Sequence, residues 1–153
     1  MKLILKLSLC LLLIIGLPIS NHAQQGKIPT EKIFDTENIF TKADIKILEA
    51  QIDDFIQTIK IPMSIMVRSM SKTFANDNAW TIGDLKSPKG ILILISKSSK
   101  EISIGVGNEL SKTLTKAKVD DIINSKILTE FNKDQYTAGI SNSIKAFFKQ
   151  LVH

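Results

Sequence analysis

Apolar residues recur along much of the chain at the spacing of an amphipathic helix. Between residues 45 and 59 they follow one another at intervals of three and four, which places them on one helical face. Thr41, followed by Asp44, has the pattern of a capping box and predicts the start of this helix, and Pro62 predicts its end. Two similar stripes, over residues 119–127 and 136–151, predict two further helices.

Three shorter apolar runs have the length and composition of β-strands. Residues 63–69 and 90–95 are bounded by proline, serine or glycine, and the second run predicts a central strand covered on both faces. Residues 101–106 alternate between polar and apolar side chains, and the short turn before them predicts an antiparallel hairpin. A weak helical stripe over residues 71–82 favours a parallel strand–crossover–strand unit before that hairpin. The order of elements therefore predicts the α/β class, with a small mixed sheet in a sandwich.

The first residues differ from the rest of the chain. Two lysines flank the start of an apolar stretch over residues 7–17, and a short mixed segment leads to Ala23. This pattern is typical of a secretory signal peptide and predicts an exported protein, periplasmic or secreted, cleaved near Ala23. Two alternatives stay open: an uncleaved anchor, disfavoured by the short apolar run, and a lipoprotein signal at Cys10, disfavoured by Leu9. The predicted organisation is a signal peptide over 1–23, a polar linker over 24–32 and a folded domain over 33–153.

Removal of the signal peptide would leave few of the residue types found in common catalytic sites. The formal charge falls from +5 to +3, because two lysines and no acids are lost, and the single cysteine is lost as well. His153 and Arg68 are then the only histidine and arginine. A thiol nucleophile, a histidine-based zinc site, a Ser-His-Asp triad and an arginine clamp for phosphate are therefore disfavoured. A charge of +3 without clustered arginines does not indicate nucleic-acid binding, and no nucleic-acid partner is expected.

Gly105 and Gly107 raise the question of a phosphate-binding loop. A dinucleotide fingerprint needs a third glycine, and Leu110 holds that position. The run therefore indicates the end of a strand, with small residues at a tight corner. Trp80, the single tryptophan, could line a cleft beside the loop that begins at Gly83, or it could anchor in the core.

Oxygen-bearing side chains in loops are the remaining candidates for chemistry. Asp84, Asn108 and Glu109 lie in predicted loops, and such ligands suit hard cations such as calcium or magnesium. No EF-hand spacing is present, so a solvated surface is the alternative explanation. The adjacent acids at 53–54 and 120–121 point about 100° apart on their helices, which indicates solvated faces rather than a shared carboxylate site.

Four segments of the sequence, taken in order, resemble the motifs of one family. They are FDTENIFTKADIKILEAQI at 34–52, AWTIG at 79–83, KGILILISKSSKEISIGVGNEL at 89–110 and FNKDQYTAGISNSI at 131–144. In turn, they are similar to an opening aspartate with its helix, a tryptophan–x–isoleucine–glycine element, a glycine-led hairpin with a glycine corner, and an ending with Phe, Tyr and Gly-Ile. The chain thus resembles the TPM domain family, which includes thylakoid photosystem II repair proteins and exported bacterial relatives.

The resemblance implies a three-layer α/β/α sandwich with a small mixed β-sheet, located outside the cytoplasm. It implies an accessory or binding module that holds a divalent cation, calcium or magnesium, and helps to maintain a membrane protein complex. The alternative is a metal-assisted phosphatase acting on phosphomonoesters. The expected site residues are Trp80, Gly83, Gly90, Gly105 and Gly107 for binding, and Asp84, Asn108 and Glu109 for the metal.

The sequence departs from the family pattern in two places. Pro88-Lys89-Gly90 stands where relatives often carry Asp-Asn-Gly, and this removes one oxygen ligand. The predicted mature chain also lacks the C-terminal transmembrane span of many exported bacterial members, which favours a soluble periplasmic protein.

Overall fold

A computed structural model of the chain describes residues 31–69 and 89–152, in which helices cover a four-stranded mixed sheet. The strands lie in the sheet in chain order: β1 (Ile33–Asp35), β2 (Met63–Val67), β3 (Ile91–Ser96) and β4 (Glu101–Val106). β1, β2 and β3 run parallel, and β4 runs antiparallel to β3. The predicted parallel unit and the predicted hairpin are both confirmed.

The helices of the described residues follow the three stripes that the sequence predicts. The first, α1, spans Lys42–Ile59, and the last, α3, spans Tyr136–Leu151. Between them, α2 covers residues 116–131; it is α-helical over Lys116–Ile122, π-helical over Ile123–Leu128 and α-helical again over Thr129–Phe131. A 3-10 turn over Asn108–Leu110 connects β4 to the segment before α2.

Local interactions fix both ends of α1. The Thr41 hydroxyl accepts a hydrogen bond from the amide of Asp44 at 3.2 Å, and the Asp44 carboxylate accepts one from the amide of Thr41 at 3.0 Å. The predicted capping box is therefore present. At the other end, Lys60 takes a left-handed backbone with φ 61°, and its amide donates to the carbonyl of Ile56. The helix thus ends just before Pro62, as predicted.

The hydrophobic core lies between one face of the sheet and the three helices. The strand register places Ile65, Ile93 and Ile104 side by side across the sheet, and all three are buried. The helices contribute Leu48, Ile52 and Phe55 from α1, Val119, Ile122 and Ile127 from α2, and Ile140, Ile144 and Phe147 from α3. All three predicted amphipathic stripes therefore pack into one core.

The central strand β3 is buried on both faces, as expected for an inner strand of a sandwich. Leu92 and Leu94 face away from the helical core and are 6% and 0% exposed. The predicted α/β class with a small mixed sheet is confirmed. The helical stripe predicted over residues 71–82 lies outside the described residues.

β1 is a strand that the sequence pattern does not predict. It has three residues, too few to show a period of two, and it pairs in parallel with β2 so that Ile33 lies opposite Ile65. Its position at the sheet edge brings the loop after it, residues 36–40, to the carboxyl ends of β2 and β3.

Candidate functional site

The glycine corner, formed by residues 89–90 and 107–109, brings part of the predicted site together. The amide of Gly107 donates to the carbonyl of Gly90 at 2.8 Å, so the residues before β3 and after β4 are adjacent. Across the same corner, Lys89 Nζ lies 3.3 Å from Glu109 Oε2. Both side chains are more than half exposed, so this ion pair is open to solvent and screened by it.

The glycines near this corner take ordinary backbone conformations. Gly105 lies inside β4, opposite Leu92 of β3. Gly107 precedes the 3-10 turn with φ −61° and ψ 147°, and none of the described glycines has a positive φ. The corner therefore turns at Asn108–Leu110 and does not depend on the left-handed backbone that glycine permits.

Two of the three predicted metal ligands lie among the residues that the structure describes. Asn108 and Glu109 are exposed and consecutive in the 3-10 turn, which Ser111 closes by donating its hydroxyl to the carbonyl of Asn108 at 2.7 Å. Within residues 31–69 and 89–152, no three histidine, cysteine, aspartate or glutamate side chains form a group that could hold a metal ion. The third predicted ligand, Asp84, lies outside the described residues, as do Trp80 and Gly83.

A second polar cluster lies at the opposite end of the sheet, beyond the carboxyl ends of the parallel strands. Glu37, which follows β1, accepts hydrogen bonds from two backbone amides of the β3–β4 turn, Lys97 at 2.6 Å and Ser98 at 3.2 Å. The Ser98 hydroxyl also lies 3.1 Å from the hydroxyl of Ser69, which follows β2, and the two form a hydrogen bond. Three loops that are distant in sequence are therefore joined at this edge, where ligands of parallel α/β sheets most often bind.

The Glu37 carboxylate is held in its ionised form. Partial desolvation acts to raise its pKa, but the Ser98 hydroxyl, the amides of Lys97 and Ser98 and the Lys97 charge outweigh this effect and lower the pKa. Asp35 fixes the same loop, because its carboxylate accepts hydrogen bonds from the amides of Glu37 and Phe40 at 3.1 and 3.0 Å. The loop after β1 is thus shaped to present one charged acceptor to the β3–β4 turn.

A cavity of about 430 Å³, the turn cavity, adjoins this turn. One wall is formed by the end of β3, the turn and the start of β4, and the other by the end of α2 and the loop before α3. Its polar lining comprises Ser96, Lys97, Lys100, Glu101, Asn132 and Asp134. Leu128 lines it from the π-helical part of α2, and such segments occur often at functional sites.

Two aromatic rings form the helical side of the turn cavity. Phe131 and Tyr136 meet edge to face, with ring centroids 4.8 Å apart. Lys97 Nζ lies 5.5 Å from the centroid of the Tyr136 ring, within cation–π distance. The Tyr136 hydroxyl donates to Asp134 Oδ1 at 3.3 Å. Desolvation, followed by the charge and hydrogen bond of Asp134, raises the pKa of Tyr136, so the phenol is protonated at neutral pH.

The sequence profile of the TPM domain matches residues 33–150 of the chain. This chain belongs to the TPM domain family. The resemblance carried by the four sequence segments is thereby confirmed. None of the curated protein sequences matches the chain.

Solved bacterial structures share the fold of this TPM domain. The N-terminal domain of a protein from P. gingivalis superimposes with a TM-score of 0.64 at 16% identity, covering 80% of this chain and 82% of that one. The BA42 protein of Bizionia argentinensis gives 0.60 at 17% identity, covering 76% and 84%. The N-terminal domain of the cg2496 protein of Corynebacterium glutamicum gives 0.61 at 14% identity, covering 85% and 86%. Similarity at these identities shows the fold alone.

The polar cluster of Glu37, Ser69 and the β3–β4 turn is the part of this TPM domain that the sequence pattern does not predict. In sequence, Glu37 is only an acid ahead of a helix, and its partners in the turn are about sixty residues away. The paired lysines of the SKSSK turn, Lys97 and Lys100, are a weak signal that charge is concentrated there. Across residues 31–69 and 89–152, every helix is too short or too polar to cross a membrane.

Proposed function

We propose that this TPM-domain protein is an exported accessory module that binds a divalent cation, calcium or magnesium, at the glycine corner. The observation that carries the proposal is the hydrogen bond between Gly107 and Gly90, because it holds the segment with Asn108 and Glu109 next to residues 89–90. Glu109 contributes an accessible carboxylate and Asn108 an amide oxygen, and both are donors that hard cations prefer. Asp84 precedes Lys89 by only a few residues in the sequence and would be the third ligand.

Lys89 competes with a cation at this site. Its ammonium group lies beside Glu109, so a bound ion must displace it from the carboxylate. The ion pair is solvent-exposed and therefore weak, and displacing it opposes binding only modestly. The affinity is expected in the range of extracellular calcium modules, about 0.1 to 1 mM.

Calcium titration followed by amide NMR tests the cation site. Amides of residues 89–90 and 105–110 should shift, Glu109→Gln should weaken binding about tenfold, and Lys89→Met should strengthen it. Asp120→Asn is the matched control, because Asp120 is also a partly exposed acid paired with a lysine, Lys116. Absence of shifts at the corner at millimolar calcium, or an equal effect of Asp120→Asn, would refute the site.

Export and a membrane-complex partner belong to the same proposal. The N-terminal pattern of residues 1–23 supports export, and membership of the TPM family supports the accessory role. The protein recovered from a periplasmic fraction is expected to begin near Gln24 and to crosslink to a membrane protein complex in a calcium-dependent manner. A cytoplasmic protein that retains residues 1–23 would contradict export.

A metal-assisted phosphomonoesterase is the alternative function, and four of the described acids that could serve it already have partners. Asp35 and Glu37 accept backbone hydrogen bonds, and Asp53 and Asp120 pair with lysines, so each has a structural partner. Purified protein should hydrolyse a phosphomonoester under this alternative, and Asp84→Asn should abolish the rate. Hydrolysis that survives both EDTA and this substitution would indicate a contaminant.

A further inference from the structure

We propose that the turn cavity is a second binding site, specific for an organic carboxylate with an apolar body. It lies at the end of β3 and the start of β4, whereas the glycine corner lies at the other ends of the same two strands. Six residues of strand separate the two places by roughly 17–20 Å. The inference goes beyond the proposed cation site and uses none of its residues, so each can fail without the other.

The two lysines of the cavity lining point to an anionic ligand. Among the described residues, neither Lys97 nor Lys100 forms a salt bridge, and Lys97 Nζ is placed over the Tyr136 ring. The lining also holds two carboxylates, which keep their charge while they accept hydrogen bonds from hydroxyl groups. Glu101 accepts from the Ser99 hydroxyl at 3.2 Å, and Asp134 accepts from Tyr136. The Lys97 charge also acts on Glu37, but among the described residues no carboxylate lies within salt-bridge distance of either ammonium group. Each can therefore form a charge-assisted hydrogen bond with a ligand, which is about twice as strong as a neutral one.

The turn that carries both lysines is held in one shape. Glu37 anchors its first residues through the amides of Lys97 and Ser98. Lys100 ends the turn in the left-handed conformation with φ 57°. A fixed turn backbone keeps both lysines beside the cavity, which lowers part of the entropy cost of recognising an anion.

The other wall of the cavity requires the ligand to be apolar in part. Ile102, Leu128, Phe131 and Tyr136 line the cavity and are only partly buried. An apolar group placed against them would remove this surface from water, and an aromatic group would extend the edge-to-face pair. A free inorganic anion would leave the wall exposed. A cavity of about 430 Å³ falls in the range of small-molecule sites.

Titration with 3-phenylpropionate tests the proposal on the full mature chain. Amides of residues 96–101 and the Tyr136 ring signals should shift with an affinity in the millimolar range, as expected for a ligand of this size. The neutral analogue 3-phenylpropionamide and inorganic phosphate should each bind at least tenfold more weakly. Equal binding of the amide would overturn the proposal, because it would show that the site does not require a charged ligand. Equal binding of phosphate would overturn it as well, because it would show that the site does not require an apolar body.

Lysine variants locate the binding. Lys97→Met and Lys100→Met should each weaken 3-phenylpropionate about tenfold, and both side chains are exposed, so the fold should be retained. Lys126→Met is the matched control, an exposed lysine outside the cavity lining. A similar loss in all three variants would show non-specific attraction and refute the site.

Two further measurements identify the ligand's source and its charge. A short peptide with a free C-terminal phenylalanine carries the same carboxylate and phenyl group as 3-phenylpropionate. Tighter binding of the peptide than of 3-phenylpropionate indicates a peptide C-terminus as the ligand. Weaker binding of the peptide indicates a small organic acid. Tyr136 is the only tyrosine in the chain, so its ultraviolet titration reports on the cavity alone. Bound carboxylate should raise the pKa of Tyr136 further. An unchanged Tyr136 titration at saturating ligand would place the anion elsewhere and contradict the proposal.

Discussion

At the scale of single residues, Glu37 provides one of the long-range links of the fold. Its carboxylate joins the loop after β1 to the β3–β4 turn through two amides. Glu37→Gln replaces a charged acceptor by a neutral one. We expect it to lower the free energy of unfolding at neutral pH by about 0.5–1 kcal/mol, a charge-assisted value reduced for solvent screening. Urea denaturation measures the change, and Glu31→Gln, at an exposed acid, is the control.

The same substitution has a defined pH dependence. The pKa of Glu37 is lower in the folded protein than its ordinary value, so its stabilising contribution is complete above the ordinary pKa. The contribution is lost as the pH falls from there through the lower, folded pKa. The difference between wild type and Glu37→Gln should therefore be full at neutral pH and should shrink in acid. If the difference in unfolding free energy is the same at neutral and at acidic pH, the charge of Glu37 does not contribute to stability.

Tyr136 and Asp134 offer a direct test of the electrostatics of the turn cavity. Desolvation raises the pKa of Tyr136, and the Asp134 charge and its hydrogen bond raise it further. Asp134→Asn should therefore lower the pKa of Tyr136 toward its ordinary value while leaving the desolvation in place. Phenolate absorbance measures this on the only tyrosine. Asp121→Asn, at an exposed position on α2, should leave the titration unchanged.

At the scale of secondary-structure elements, local signals predict what local interactions fix. The capping box of Thr41 and Asp44 and the short turn after β3 act between near neighbours, and both elements occur where the pattern places them. β1 is different, because three residues are too few to show the two-residue period of a strand. It is held by pairing with β2, which follows it in the chain only after the whole of α1. The π-helical part of α2 is also invisible in the sequence, since apolar residues at spacings of three and four fit an α-helix as well.

The contact between α2 and α3 depends on one glycine. A Cβ added to Gly139 would lie 2.8 Å from Phe131 Cδ1 and 3.1 Å from the carbonyl oxygen of Ile127. Alanine gains about 1 kcal/mol of helix propensity, but overpacking costs about 1–3 kcal/mol. Because one neighbour is backbone, the clash should prevail, and Gly139→Ala should destabilise the fold by up to about 2 kcal/mol in urea denaturation.

A second variant shows whether the Phe131 ring causes this loss. Phe131→Ala removes both ring atoms nearest Gly139, Cδ1 and Cε1. In that background Gly139→Ala should cost less than in the wild type, because the two changes are in contact and are not additive. An identical cost in both backgrounds would assign the clash to the backbone of α2 instead.

At the scale of the whole molecule, the two sites differ in how far the sequence predicts them. The glycine corner is built by a hairpin, so Gly90 and Gly107 are brought together by elements that the pattern already predicts. The turn cavity forms where the β3–β4 turn lies against the end of α2, and no short-range sequence pattern predicts that contact. Its aromatic wall is visible in sequence only as part of an apolar stripe, which is equally consistent with core packing.

The layered architecture itself can be tested on the face of the sheet away from the helices. The register aligns Phe34, Met66 and Leu94 in one row across this face, from an exposed edge to a fully buried centre. Leu94→Ala should therefore cost about 2–5 kcal/mol, as much as Ile93→Ala on the helical face, since both residues are 0% exposed.

Phe34→Ala is the matched contrast, because Phe34 lies in the same row as Leu94 but is 36% exposed. It should lower the free energy of unfolding clearly less than Leu94→Ala does. Urea denaturation measures this for all three variants, provided that the dependence of the free energy on urea concentration has the same slope in each. If Leu94→Ala costs no more than Phe34→Ala, the second face is not tightly packed and the sheet has one packed layer. If Leu94→Ala costs as much stability as Ile93→Ala, both faces of β3 are packed. The run at 90–95 is then apolar throughout because neither face of the strand can carry polar residues, and for that reason it predicts a central strand.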